Sequence, residues 1–410
     1  MKTTTLIAVI VVIVAIIVAG VAVYYYLTLP PPPPKKEILI GTSVSLTGKF
    51  SFFGQEHLRA YQIWVEKVNS EGGIYLSKYK TRLPVRLIYY DDASDASTAA
   101  KLYEKLITED HVDFVLSPFS STITFSVSTI TEKYHYPLVT TYAASPGIYS
   151  RGFKYIFSVQ PIAENDTKPF LEMLSKLPNR PSTVAIVASK TEWTMHAGKG
   201  ALHWAEKYGF KVVLYEEFEP NPSDFSPLIL KLKSINPDVV IAATYVSETL
   251  LFYRQMKELD FKPKAIWFGN GPDTPVFIET FGKDADGVFC FWTNKPWSTP
   301  DPEIQWLRET YKKKYGREPS NFVALPYASC QILQQAIEQA GDIDREAVRD
   351  ILAKGTFKAI NGMNKFDPTG QNILAYVGVL QIINGTNQWV YPEGPEKTAD
   401  PIYPYPYFSG

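Results

Sequence analysis

Residues 112–146, VDFVLSPFSSTITFSVSTITEKYHYPLVTTYAASP, constrain the fold of this chain more than any other stretch. Apolar runs at 114–116 and 137–141 read as strands. Between them, 124–133 carries Phe125, Val127 and Ile130 at loosely helical spacing. The two runs are too far apart for a hairpin, so a crossover helix and parallel pairing are the natural solution. Each run ends in small and hydroxyl residues: Ser117-Pro118-Phe119-Ser120-Ser121-Thr122 and Thr141-Tyr142-Ala143-Ala144-Ser145-Pro146. Ligands of open parallel sheets sit outside the carboxyl ends of the strands. Two adjacent hydroxyl loops at such an edge can meet one small anion. Ser121 and Thr122 would stand at a helix N-terminus, where free N–H groups and the dipole favour a carboxylate. One such loop alone is ordinary cap and turn chemistry. Two, matched at parallel strand ends, favour a ligand site.

The alternation extends in both directions. Strands at 37–44 and 85–90 precede this stretch, with helices at 57–69 and 98–107. After it, strand patterns at 153–159, 183–188, 211–216, 238–243, 265–268 and 287–292 alternate with helical ones at 165–176, 196–208, 225–234 and 248–259. Two successive runs of this kind predict two α/β units, in keeping with 410 residues. Helices at 300–316, 326–340 and 344–353 follow, then an antiparallel pair from 362–367 and 376–384. The tail, 391–410, is rich in Pro and Tyr, has little to bury, and is expected on the surface or partly disordered.

At the other end, 6–23 is almost wholly aliphatic, with no charge between Lys2 and Lys35. At ~1.5 Å rise per residue, 4–29 covers a ~30 Å hydrocarbon core. Residues 1–29 therefore read as an uncleaved membrane anchor, with Tyr24-Tyr25-Tyr26 at the interface. The other reading is a signal peptide, for which Val18-Ala19-Gly20 is the best cleavage site. Residues 30–36 form a linker whose five consecutive prolines make a stiff spacer of ~3.1 Å per residue.

A net charge of −1 supplies no attraction to nucleic acid or anionic lipid. Cys290 and Cys330 lie in no CxxC or zinc spacing; free buried thiols are favoured over a disulfide. His196 and His203 share a helix face without a third metal ligand, and no HExxH, GxSxG or P-loop occurs. Asp91 and Asp92 point to opposite faces of a strand and read as turn and cap residues. No catalytic group, metal or cofactor is expected. Asn165 and Asn384 head sequons.

Taken in order, Ser45-Leu46-Thr47-Gly48, Asn69-Ser70-Glu71-Gly72-Gly73-Ile74, Asp91-Asp92 and the two hydroxyl loops carry a resemblance. Over about residues 37–390 the chain resembles the solute-binding proteins of ABC transporters for branched-chain amino acids, the leucine/isoleucine/valine-binding family. The resemblance implies a type I periplasmic binding protein: two doubly wound parallel-sheet lobes joined by a three-crossing hinge. Lobe one would comprise 37–159 and 292–361, and lobe two 160–291 and 362–390. It further implies a monomer outside the cytoplasm that binds an amino-acid-like ligand and meets ABC permease subunits in the membrane.

By position, Ser121, flanked by Ser120 and Thr122, matches the serine that holds the ligand's α-carboxylate. Ala143, beside Ala144, matches the carbonyl that accepts from the ammonium, and Ser145 a hydroxyl residue of the head-group site. Phe53, Trp193 and Tyr245 match aromatic residues facing the cleft. Their ring faces would also attract a cation, at ~0.5–2 kcal/mol each. One departure matters. The family's acidic partner for the ammonium falls near Gly271, where this chain reads Gly269-Asn270-Gly271-Pro272-Asp273. Asp273 takes that role if the loop shifts; otherwise the ligand lacks a full α-amino-acid head group.

Overall fold

The computed structural model describes residues 13–21, 24, 31–33 and 35–407. The proposed anchor at 1–29 falls largely outside them. Among the described residues no helix is long and apolar enough to cross a membrane.

The strand Ile38–Val44 is buried along nearly its whole length because it pairs on both sides. Val85–Asp91 runs parallel along one edge and Phe114–Val115 along the other. A strand covered in this way reads as a continuous apolar run. Leu138–Thr140 and Ile156–Ser158 form a second parallel pair. The sequence reading paired 114–116 directly with 137–141. The structure instead links them through Thr141, whose backbone N–H donates to the Ser117 hydroxyl over 3.3 Å. Pro118 and Pro137 lack the N–H groups that a continuous backbone ladder would need there.

A seven-stranded sheet makes up the other half. Its order is Thr386–Tyr391, Gly378–Ile383, Phe289–Trp292, Ala265–Phe268, Val239–Ala243, Thr183–Ser189 and Lys211–Phe218. The last five are parallel, and the first two are antiparallel additions at the edge. Helices cover both faces, and the inward residues of Val239–Ala243 and Thr183–Ser189 are fully buried. The strand order turns back at two places. Ile38–Val44 sits between the strands that follow it, and Thr183–Ser189 sits between Lys211–Phe218 and Val239–Ala243. Such switch points open a crevice at the carboxyl ends of the strands.

The helices Pro302–Tyr315 and Ala324–Ala340 return to the first half. Leu307, Tyr311, Tyr327 and Leu333 pack there with Tyr61 and Trp64 of Ser51–Ser70. The predicted pairing of 362–367 with 376–384 gives way to two local hairpins. Thr356–Ala359 pairs with Gly362–Lys365, and Gly378–Ile383 with Thr386–Tyr391. The second turns on Asn384 and Gly385, both at positive φ (51° and 70°), the twist that a two-residue hairpin requires. Phe357, Ile360 and Phe366 all pack in the first core.

The tail also departs from expectation. Tyr407 is 1% exposed and belongs to the second core. Its hydroxyl donates to the Gly287 carbonyl (2.9 Å) and accepts from the Ile266 N–H (3.2 Å). Ile402 and the buried Gln381 side chain exchange two hydrogen bonds, 2.8 and 2.9 Å. Tyrosine supplies a large apolar ring with a polar end, so a Pro/Tyr segment can dock where its prolines suggest only a loop. Tyr407→Ala is expected to lower the unfolding free energy by about 3–5 kcal/mol, and Tyr407→Phe by about 1–2 kcal/mol, measured by urea denaturation.

Candidate ligand-binding cleft

The first wall is built from the hydroxyl loops. Ser120 caps the helix Ser121–Lys133, with its hydroxyl accepting from the Ile123 N–H at 3.3 Å. Its φ of 78° is a conformation that non-glycine residues adopt only where the surroundings enforce it. The Ser121 hydroxyl accepts from the Ser145 N–H at 3.1 Å, which joins the two loops. Thr122 follows, half-buried. The Ala143 carbonyl accepts from the Tyr149 hydroxyl (2.7 Å), and the Ala144 carbonyl from the Ala163 N–H (2.9 Å). Ser145 spends its hydroxyl across the crevice on Glu192 Oε2, 2.9 Å away.

Trp193 and Tyr245 form the facing wall. They follow the strands Thr183–Ser189 and Val239–Ala243, on either side of the second switch point. The helix expected at 196 starts at Glu192, because Thr191 and Thr194 close a capping box ahead of it. That places Trp193 in the first turn, where its indole N–H donates to Asp166 Oδ2 at 2.8 Å. Its ring lies 5.2 Å from Tyr245 and 5.8 Å from Phe291. Tyr245 also touches Phe50 of the first half, with centroids 5.2 Å apart.

Between the walls lies a narrow cavity of about 20 Å³, partly open to solvent. Phe119, Tyr142 and Phe322 line it from the first half, and Trp193, Tyr245, Asn270 and Phe291 from the second. Gln160 lies between them. Of the residues singled out in the sequence, Trp193 and Tyr245 are on this surface. Phe53 is one layer behind, stacked on Phe119 at 4.2 Å and edge-on to Phe322 at 4.6 Å. Ser120, Ser121, Thr122, Ala143, Ala144 and Ser145 also lie outside the lining. Phe119 and Tyr142 stood inside the two loops already marked and went unnoticed as aromatics. Asn270 sat in the Gly-Asn-Gly turn. Nothing local flags Gln160, Phe291 or Phe322.

Asp273 is nearly buried, with Oδ1 accepting from the Gly271 N–H at 3.1 Å. Burial raises its carboxyl to about 7. Asn321 donates to the Asp273 carbonyl (3.5 Å) and accepts at its own carbonyl from the Tyr142 hydroxyl (2.9 Å) and the Asn294 side chain (3.1 Å). His57 is buried, and its ring is pushed down to about 3, hence neutral. Nδ1 donates to the Phe53 carbonyl (2.9 Å), and Nε2 accepts from the Thr141 hydroxyl (2.8 Å). Asp91 and Asp92 bind Thr47, Ser43 and Ser45, fastening the first loop to the second strand. Among the described residues no His, Cys, Asp and Glu side chains group as a metal site; Cys290 and Cys330 are buried and free.

A family model described as periplasmic binding protein matches residues 37–387. The chain belongs to that family. It is a family of solute-binding proteins rather than enzymes, and the type I fold implied by the sequence resemblance is the one found. A Leu/Ile/Val-binding protein homolog of Brucella melitensis is 27% identical over 376 residues, 87% of this chain and 92% of that one. The crystal structure of a leucine-binding protein from Thermotoga maritima superposes with a TM-score of 0.78 at 25% identity, covering 87% of this chain and 99% of that one. A branched-chain amino acid transporter substrate-binding protein of Streptococcus pneumoniae, in complex with isoleucine, has the same fold (TM-score 0.77, 21% identity, 90% and 100% covered).

Asp273 gives this periplasmic binding protein a pH-dependent stability. Its folded value near 7 lies above the unfolded ~3.9, so the unfolded chain ionises first. Stability from this group is complete below pH ~4 and is lost as pH rises towards 7, by roughly 4 kcal/mol. Asp273→Asn is therefore expected to exceed the native chain in urea midpoint at pH 8, with the gap closing as pH falls towards 4.

Proposed function

We propose that this periplasmic binding protein captures a small amino-acid-like solute between its two halves, outside the cytoplasm, and delivers it to ABC permease subunits. The observation that carries the reading is the aromatic cavity at the carboxyl ends of both parallel sheets, beside hydroxyl loops joined by Ser121 and Ser145. Relatives named for leucine, isoleucine and valine support the solute class. The aliphatic run at 6–23 and the proline spacer suit a tether that holds the binding unit off a membrane.

The contacts across the crevice, Phe50 on Tyr245 and Ser145 on Glu192, are the kind that a closing two-lobed protein makes around its ligand. Exclusion of water strengthens each polar contact within. We assign Trp193 and Tyr245 to the ligand's apolar part. Ser120, Ser121, Thr122, Ala143, Ala144 and Ser145 shape the head-group end, with Phe53 supporting Phe119. We assign Asp273 to a positive group of the ligand. The lobes themselves are assigned as 37–159 with 292–366, and 160–291 with 378–390.

Thermal melting of the full chain against amino acids, amides, amines and aromatic acids tests the reading. A ligand at ~100 Kd adds ~2.7 kcal/mol, a readily measured rise. At least one solute is expected to shift the melt, and Trp193→Ala to remove the shift. The reading fails if no solute acts, or if Trp193→Ala leaves the response intact.

A further inference from the structure

Among the described residues the cavity wall carries no charged side chain, and two amide oxygens at it or just behind it have no partner. Gln160, 5% exposed, lines the cavity, and its Oε1 has no partner. Asn294 Oδ1 is equally unpartnered, its amide nitrogen being committed to the Asn321 carbonyl and the Tyr142 hydroxyl. Two buried carboxyl groups stand just behind the wall. Asp166 takes the indole N–H of Trp193, and Asp273 takes a backbone N–H in the turn that presents Asn270. Neither forms an ion pair with a described lysine or arginine.

Three side-chain donors at the cleft are spent on the protein itself. Ser145 gives its hydroxyl to Glu192, Tyr142 to Asn321, and Trp193 its indole N–H to Asp166. Glu192 thereby sets a carboxylate on one hydroxyl of the head-group site. The cation at the rim, Lys49, is exposed and rests over Phe50, 5.0 Å from the centroid. Arg151, on the far side of Glu192, spends its guanidinium on the Phe125 carbonyl, Ser128 and Thr129.

We propose that the cleft selects a small organic cation: a positively charged nitrogen on an apolar body, held by the faces of Phe119, Trp193 and Tyr245 and backed by Asp166 and Asp273, with no carboxylate required of the ligand. The inference rests on the reading of the cleft as the solute site and narrows its chemistry. Aromatic faces attract desolvated cations. Buried acceptors without donors are costly, and an ammonium or amine supplies up to three. An anion in the same place would be desolvated beside Glu192 with no described cation to compensate it, and would favour the neutral form of Asp166 and Asp273. Burial holds both aspartic carboxyls above their ordinary range, as expected of groups without a positive neighbour.

Calorimetric titration of the full chain with two matched series tests this: leucinamide, leucine and 4-methylpentanoate; phenethylamine, phenylalanine and 3-phenylpropanoate. In each, the cation is expected to bind at least tenfold more tightly than the zwitterion, and the acid not to bind. Asp273→Asn should weaken the cation at least tenfold while keeping a cooperative melt. A zwitterion or acid binding most tightly overturns the proposal, as does the absence of binding by all six. If another solute of the wider panel then binds through Trp193, the charge class fails and the cleft reading stands. If none does, both fail.

Discussion

The carboxylate of Glu56 is wholly buried on the first helix, and it ties together parts of the first half that are far apart in sequence. Five donors converge on it: Arg59 (2.9 Å), Arg317 (2.6 Å), the Tyr311 hydroxyl (2.7 Å), and the hydroxyl and N–H of Ser320 (2.5 and 3.3 Å). A buried carboxylate is costly unless paired and hydrogen-bonded, and once it is so satisfied, removing one partner is more damaging than never having had the pair. The network therefore fixes geometry as well as charge. Ser320 directly precedes Asn321 and Phe322, so the position of a cleft wall follows from a carboxylate more than 250 residues earlier in the chain.

The wall is layered. Phe322 and Phe119 meet the cavity, Phe53 stacks behind them, and His57 locks the Phe53 carbonyl to the Thr141 hydroxyl at the end of the neighbouring strand. The hydroxyl loops have a similar second role. Ser121 holds the Ser145 amide, and Tyr149 holds the Ala143 carbonyl. Residues that resemblance places at a ligand are here also fastened to one another, which rigidifies the rim before any solute arrives.

The alternation of strands and helices was legible because apolar runs and 3.6-residue spacing are local signals. The switch-point loops were legible for the same reason: strand ends are marked by small and hydroxyl residues. What escaped reading depends on distance. Phe322 reaches the cleft only because the last helices return to the first half, and Gln160 only because the chain changes halves there. The start of the Glu192–Lys207 helix was misplaced since a Thr-Thr capping box is weaker to the eye than the glycine that ends it. At the tail, proline count outweighed the burial that tyrosine rings can achieve.

The docked tail bears on how the molecule is made. The second core contains Tyr407, and its sheet takes edge strands from Gly378–Ile383 and Thr386–Tyr391, long after Phe289–Trp292. During synthesis from the amino end, that half cannot complete its packing until Tyr407 has left the ribosome. The first half draws its last contacts from Gly370 and Asn372, which bond Ser158 and Val159. The two halves thus finish in a fixed order, and the nascent second half carries an uncovered sheet edge for the whole interval.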